Sequence, residues 1–179
     1  MADLAPSRRR VADVLARKRV ALGFIASAAT LALARPTWSS WRLGLAVAVV
    51  GEAIRVWAAG HLEKSREVTR TGPYRFSRHP LYVGSSIVAV GAVIAARSPV
   101  AAAVAAVYMV ATLAAAIQTE EAFLRGAFGA TYDEYRAARA EPMARRFSWA
   151  RAMRNREYRA MAGLTIGFAL LALRILVPV

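Results

Sequence analysis

The sequence predicts an all-α, polytopic integral membrane protein with about five transmembrane helices and additional amphipathic interfacial helices. Of its 179 residues, 58% are hydrophobic, although 20% are charged. Both values are possible because the charged residues are grouped in blocks between long apolar runs, which is typical of membrane-spanning chains. The length favours a single domain over residues 1–179. The net charge of +14 would suit a nucleic-acid-binding protein, but the basic residues flank apolar runs, so we expect the lipid bilayer and no nucleic acid as a partner.

The apolar runs set the predicted spans. They cover approximately residues 20–34, 43–59, 80–96, 100–119 and 161–177. The basic segment 1–19 is either an amphipathic helix at the interface or a frayed tail, and we expect the apolar run after it to be retained as a span. Glu52 and Arg55 share one face of the second span, where they either pair with each other or line a substrate cavity. In the last span, Gly163-x-x-x-Gly167 predicts close packing within the bundle of a monomer, with dimerisation as the alternative.

The basic residues are distributed unevenly between the two sides. Twenty of the 25 Lys and Arg residues precede the first span or lie in the connections after the second and fourth spans. By the positive-inside rule, the N-terminus and the regions 61–84 and 120–158 face the cytoplasm. The Ala- and Arg-rich composition is typical of a high-GC bacterium, so we expect the cytoplasmic (inner) membrane, with the active site on its cytoplasmic face.

The stretch Thr71–Gly84 combines turn residues with basic residues just before the third span. Gly72 accepts a positive φ, and the proline after it favours a turn. Pro80 suits the first position of a helix, where its missing N–H costs nothing. The N–H groups of Leu81 and Tyr82 would then be free to bind an anion.

A carboxylate pair, Glu120 and Glu121, ends the fourth span. Carboxylates are disfavoured at the C-terminus of a helix by its dipole, so either the pair binds a cationic group or the helix continues past it. Tyr132 and Tyr135 follow at helical spacing, and we favour packing over ligand binding for both. Pro142 should divide the segment 122–158 into two helical pieces.

The composition limits the kinds of ligand that the basic loop and the carboxylate pair could bind. The chain has no cysteine and only two histidines, without metal-ligand spacing, so we expect no catalytic metal. A helix N-terminus, a basic loop and a carboxylate pair on one membrane face could together hold a zwitterion that carries a carboxylate, an ammonium group and a ribose.

Two motifs carry a family resemblance. Gly72-Pro73-Tyr74 with Arg78-His79-Pro80-x-Tyr82-x-Gly84, followed by Glu120-Glu121-x-x-Leu124-x-x-x-Phe128-Gly129-x-x-Tyr132-x-x-Tyr135, resembles the isoprenylcysteine carboxyl methyltransferase family over about residues 60–140. Phospholipid methyltransferase-like membrane enzymes are its neighbours. The resemblance implies S-adenosylmethionine as the cofactor, S-adenosylhomocysteine as its product, and Arg78 and His79 as catalytic residues. It implies cofactor binding by Tyr74, His79, Pro80, Leu81, Tyr82, Gly84, Glu120 and Glu121.

The resemblance also implies a methyl acceptor, a lipophilic acid, prenylated or lipid-like, that arrives from the bilayer. The family pattern has an arginine shortly before the acidic pair, where this chain has Ala115 and Ala116. Phenolic or pyrone lipids and phospholipid amines therefore stay open as acceptors, and with them the question whether His79 acts as a base. A membrane reductase and a non-enzymatic membrane protein are the alternatives from other classes. The carboxylate pair favours a sulfonium cofactor over a pyrophosphate-containing dinucleotide.

Overall fold

The computed structural model describes residues 6–141 and 143–177, and within these ranges the chain is helical without a β-strand. The all-α prediction is therefore confirmed for the described residues. A short 3-10 helix spans Gly72–Arg75. The α-helices of the described ranges are α1 (Pro6–Leu33), α2 (Trp38–Ala59), α3 (Pro80–Ala96), α4 (Pro99–Arg136), α5 (Trp149–Arg154) and α6 (Tyr158–Leu176).

The helices approach closely because small residues line their contacts. α2 packs along α3, and α1 packs along α4. A Cβ on Gly51 would lie 2.7 Å from the carbonyl oxygen of Gly84, and one on Gly44 would lie 2.4 Å from that of Gly91. Of the fifteen buried hydrophobic residues in the described ranges, ten are alanine, so the interior is filled mainly by small side chains.

Large apolar side chains face outward instead. Val107 and Val110 on α4 are each 71% exposed, and Ile166 on α6 is 60% exposed. Such a surface is unfavourable in water but suits contact with lipid tails. This distribution supports placement in a membrane.

The prediction of five spans is confirmed only in part. Within the described ranges, two helices, α4 and α6, are long and apolar enough to cross a bilayer. The apolar part of α1 is limited to Ala21–Leu33, and α3 has 17 residues. α2 has 22 residues but carries Arg42, Glu52 and Arg55 along its length. α1 and α3 therefore differ from α4 and α6 by their short apolar length, and α2 differs from them by its charged residues.

Two expectations about helix boundaries are resolved. α4 continues past Glu120 and Glu121 to Arg136, with a break at Gly129, where φ is +46° and ψ is −121°. The carboxylate pair thus lies inside a helix. At the N-terminus, the basic segment and the first apolar run form one continuous helix from Pro6.

The segment after α4 is only partly helical. Residues 137–141 and 143–148 are non-helical, and they separate α4 from α5. The predicted division into two helical pieces is therefore present, although Pro142 itself lies outside the described residues.

The glycine motif on α6 makes no close packing contact within the part of the chain that the structure describes. A Cβ on Gly163 or Gly167 would meet nothing within 4 Å among the described residues. The prediction of close packing inside the bundle is wrong, because α6 turns a different face inward. That face carries Phe168 and Leu171, and the backbone oxygen of Phe168 accepts a hydrogen bond from the indole of Trp41 at 2.8 Å.

The connections collect at opposite ends of the bundle. At one end, the N–H of Arg35 donates to Ala96 at 2.8 Å, and Arg174 Nε donates to the carbonyl of Ala34 at 2.8 Å. At the other end, the connection 60–79 contacts the end of α4 through Tyr135 and the segment 137–157 through Arg145 and Arg151. Both segments that carry the sequence motifs therefore lie at one end, which we call the polar end.

Candidate active site

The turn before α3 is built around a buried histidine. Gly72 has φ +57°, as the sequence predicts, and a Cβ there would lie 2.5 Å from the ring of His61. His61 is 5% exposed, and its Nδ1 lies 3.0 Å from Thr71 Oγ1. Both the backbone conformation and the close approach of the ring require glycine. Pro80 is the first residue of α3, and His79 is its N-cap.

This turn brings the basic pair of the first motif onto the carboxylates of α4. Arg78 Nη1 lies 2.9 Å from Glu121 Oε1, and His79 Nε2 lies 3.2 Å from the same oxygen. The other ring nitrogen of His79, Nδ1, lies 3.9 Å from Glu120 Oε2. The two motifs, far apart in the sequence, thus meet in space.

The charges act on Glu121 in opposite directions. Partial burial by itself would raise its pKa. The hydrogen bond from His79 and the positive charge of Arg78 outweigh this effect, so the pKa of Glu121 lies below its usual range. Glu121 is therefore an ionised anchor for both basic residues at neutral pH.

The N-terminus of α3 differs from the prediction in one respect. The N–H of Tyr82 is not free, because it donates to the carbonyl of His79 at 3.0 Å. The cap residue closes the first turn of the helix with its own carbonyl, which removes this donor from the predicted anion site. The ring of Tyr82 stacks on that of His79, with centroids 5.7 Å apart.

A cavity of about 670 Å³ opens beside this cluster. Among the predicted site residues, its wall contains Tyr74, Arg78, His79, Pro80, Leu81, Tyr82 and Glu120. Glu121 lies behind this wall and holds Arg78 and His79. Gly84 packs against α2, where a Cβ would lie 2.6 Å from both Arg55 Cγ and the carbonyl oxygen of Gly51.

The cavity continues between α3 and α4 toward the apolar part of the bundle. There its wall contains Tyr108, Met109, Thr112 and Leu113 of α4. A lipophilic molecule could therefore reach the polar cluster along an apolar wall.

Arg55 pairs with Glu52, which agrees with the first of the two expectations, and Arg55 but not Glu52 also lines the cavity. Its Nη2 lies 2.8 Å from Glu157 Oε1, and its Nε lies 3.5 Å from Glu52 Oε2. Its Nη1 donates to Ser85 Oγ and, at 3.5 Å, to the carbonyl of Leu81. One guanidinium thus connects α2 and α3 with the start of α6.

The two tyrosines of the second motif have different places. Tyr132 is fully buried. Tyr135 lines the cavity, and its hydroxyl donates to the carbonyl of Tyr74 at 2.7 Å. Burial is the main cause that raises the pKa of Tyr135 to about 12. Tyr135 therefore joins α4 to the turn before α3, in addition to forming part of the wall.

Ion pairs close the polar end. Arg145 pairs with both oxygens of Glu67, at 2.5 and 2.7 Å. Arg151 Nε donates to Glu63 at 2.7 Å, and Asn155 Nδ2 donates to the carbonyls of Ala59, the last residue of α2, and of Leu62 in the connection after it. These contacts hold the segment 143–157 against the connection after α2.

Sequence reasoning missed Glu157 and Asn155, which both line the cavity. One signal was available for Glu157, since it is the only acidic residue after Glu141 and stands within an arginine-rich segment. His61, the second histidine near the first motif, is absent from the cavity wall.

Comparison with known sequences identifies the family. The sequence model described as phospholipid methyltransferase matches residues 19–131. The chain belongs to the phospholipid methyltransferase family. The matched residues of this phospholipid methyltransferase family member include the first motif, the second motif as far as Gly129, and the helices α2, which carries Arg55, and α3.

Plant proteins are similar to this family member over 110 residues. Two, each named probable protein-S-isoprenylcysteine O-methyltransferase, are from Oryza sativa subsp. indica and Oryza sativa subsp. japonica, and both are 33% identical over 55% of this chain and 58% of their own length. Protein-S-isoprenylcysteine O-methyltransferase A of Arabidopsis thaliana is 36% identical over 55% of this chain and 56% of its own length. The aligned stretch thus spans little more than half of these relatives. No solved structure matches the chain.

Proposed function

We propose that the protein is a membrane methyltransferase that uses S-adenosylmethionine and methylates a lipophilic acceptor at the cytoplasmic face of the membrane. The observation that carries this proposal is the meeting of Arg78 and His79 with Glu120 and Glu121 at the polar end of one large cavity. Family membership and the names of the plant relatives agree with it.

The residues of the cavity wall fit a zwitterionic cofactor. Glu120 lies in the wall with a side chain 40% exposed, and it faces His79 Nδ1, which has no hydrogen-bond partner among the described residues. Glu120 would hold the ammonium group of S-adenosylmethionine, and Arg78 would hold its carboxylate. When bound, the cofactor supplies an electrophilic methyl group on a sulfonium.

The protein's own contribution is to orient the reactants and to exclude water. Glu121 keeps Arg78 and His79 in place, so that little reorganisation is needed when the cofactor binds. The pairs Glu67–Arg145 and Glu63–Arg151 cover the polar end and limit the entry of water. The apolar wall of α4 would admit the acceptor from the bilayer.

We infer a five-span arrangement in which α1, α2 and α3 also cross the membrane. The outward-facing apolar side chains of all three support it, with Phe24 74%, Leu43 60% and Val90 53% exposed. Glu52 and Arg55, which make α2 a poor span by composition, are turned to the interior and paired. The polar end would then face the cytoplasm of a bacterial inner membrane, and the protein would act as a monomer.

Cofactor binding tests this proposal directly. Purified protein in lipid nanodiscs should bind S-adenosylhomocysteine with a Kd in the micromolar range, about −8 kcal/mol, in a calorimetric titration. Glu120→Gln should weaken binding about tenfold, through loss of one charge-assisted hydrogen bond. Glu141→Gln is the matched control, because Glu141 is an exposed carboxylate outside the cavity. Tighter binding of NADPH than of S-adenosylhomocysteine would refute the proposal and favour a reductase.

A further inference from the structure

A second polar group lies in the cavity wall on the membrane side of the first. It consists of Arg55 on α2, Ser85 on α3 and Glu157 at the N-cap of α6, and we call it the Arg55 cluster. All three nitrogens of the guanidinium have polar partners: Nη1 donates a hydrogen bond to Ser85 Oγ, and Nη2 and Nε form ion pairs with Glu157 and Glu52. Glu157 is 4% exposed, so the cluster is built into the wall rather than placed on a surface.

The Arg55 cluster is separated from the motif residues along the cavity. Ser85 lies six residues after His79 on α3, which corresponds to about 9 Å at 1.5 Å per residue. The buried residue Tyr74 also lines the wall. Burial, followed by the carboxylate of Glu120 and more weakly that of Glu157, raises the pKa of Tyr74 well above its usual range. The wall thus offers one polar group for a cofactor and another for a second ligand.

The charges of the wall decide which second ligand fits. In the Arg55 cluster and its neighbour Glu52, two carboxylates face one guanidinium. Arg78, the other guanidinium in the wall, lies with His79 at the polar end, where the proposed function assigns it to the cofactor carboxylate. Lys64, also in the wall, is exposed in the connection at the polar end. A carboxylate on the membrane side would therefore be buried without a free cationic partner, which is costly.

We propose that the Arg55 cluster binds the head group of the methyl acceptor and selects a hydrogen-bond donor without negative charge, an amine or a hydroxyl, over a carboxylate. Glu157 and Ser85 supply the accepting oxygens, and Arg55 holds both in position. This inference rests on the proposed methyltransferase function, because only a methyltransferase has a methyl acceptor. The selectivity for an amine or a hydroxyl over a carboxylate can still be measured without methyl transfer.

The test compares three ligands that differ only in the head group: dodecylamine, dodecanol and dodecanoate at a pH where it is ionised. Binding is measured to the full-length protein in uncharged nanodiscs, with and without S-adenosylhomocysteine, and binding to empty nanodiscs is subtracted. The wild-type protein should bind the amine and the alcohol at least about tenfold more tightly than the carboxylate.

Glu157→Gln distinguishes recognition from structural support. The variant keeps the shape of the side chain but removes one negative partner of Arg55. The amine should therefore bind about tenfold more weakly and dodecanoate more tightly. The difference in affinity between these two ligands then becomes smaller, or dodecanoate becomes the tighter ligand. If Glu157 only supported the fold, its substitution would weaken the binding of all three ligands to a similar extent. Glu141→Gln should keep the wild-type order.

Two outcomes would overturn the inference. One is a wild-type protein that binds dodecanoate as tightly as the other ligands, and this measurement stands even where Glu157→Gln does not fold. The other is a folded Glu157→Gln variant with the wild-type order. Because the ligands are also measured without S-adenosylhomocysteine, failure of the cofactor to bind would count against the proposed function alone.

Discussion

Replacing Glu121 by glutamine should destabilise the polar end, because one carboxylate holds both basic residues of the first motif. Its Oε1 lies 2.9 Å from Arg78 Nη1 and 3.2 Å from His79 Nε2. Glutamine has the same shape and keeps one accepting oxygen, but it loses the negative charge. The change therefore isolates the electrostatic part of the interaction.

The contacts of Glu121 allow the loss of stability in Glu121→Gln to be estimated. The side chain of Arg78 is 37% exposed, so solvent screening limits its ion pair to about 0.5–1 kcal/mol. The side chain of His79 is 13% exposed, and a hydrogen bond from it to a carboxylate contributes about 1.5 kcal/mol. Since glutamine retains part of the second interaction, we expect the free energy of unfolding to fall by about 1–2 kcal/mol. Each kcal/mol corresponds to a decrease in Tm of about 2–4 °C.

Thermal unfolding in nanodiscs as a function of pH measures this loss. The pKa of Glu121 is lowered in the folded protein, so its contribution is complete above the usual carboxyl value of about 4.3 and is lost as the pH falls through the folded value. The difference in Tm between wild type and Glu121→Gln should therefore be largest at neutral pH and shrink below pH about 4.3. A Tm at pH 7 equal to that of the exposed-carboxylate control Glu141→Gln would refute the reasoning, as would a difference that persists unchanged in acid.

Three further predictions concern topology, acid sensitivity and packing. Because the chain has no cysteine, Ser65→Cys should be labelled only from the cytoplasm by an impermeant maleimide, and Ser39→Cys only from the opposite side, since these exposed serines lie near opposite ends of the bundle. Burial, then three nearby arginines, lowers the pKa of His61, so wild-type Tm should fall as the pH drops below about 6.5, and His61→Gln should remove this dependence. Gly84→Ala places a methyl group 2.6 Å from the carbonyl of Gly51 and should cost about 1–3 kcal/mol of stability, measured as a lower Tm.

Each of these has a control or a contradicting result. Labelling of both cysteines from the same side would exclude the proposed orientation. An unchanged acid slope in His61→Gln would assign that slope to other groups. For the glycine, Gly163→Ala is the matched control, because its methyl group would meet nothing within 4 Å, and alanine is favoured over glycine in a helix by about 1 kcal/mol. Equal effects of the two alanine substitutions would contradict the packing argument.

The sequence by itself determined the features that depend on neighbouring residues. Gly72 and Pro80 predicted the turn and the start of α3, because their backbone restrictions act locally. The apolar runs predicted the helices, and the asymmetry of basic residues predicted that both motifs share one end. The family resemblance added the candidate residues around His79 and Glu120, which the structure brings to one cavity.

Only the tertiary structure decided which distant groups meet. The pairing of Arg55 with Glu157 and the packing of Gly84 on Gly51 depend on how separate helices are placed beside one another. Sequence periodicity gives the face of a helix but not the neighbour that covers it. For the same reason, the glycines of α6 were assigned to the interior although their face is open. Helix packing, which depends on the shape of the whole bundle, therefore determines the membrane-side half of the cavity and the charges that line it.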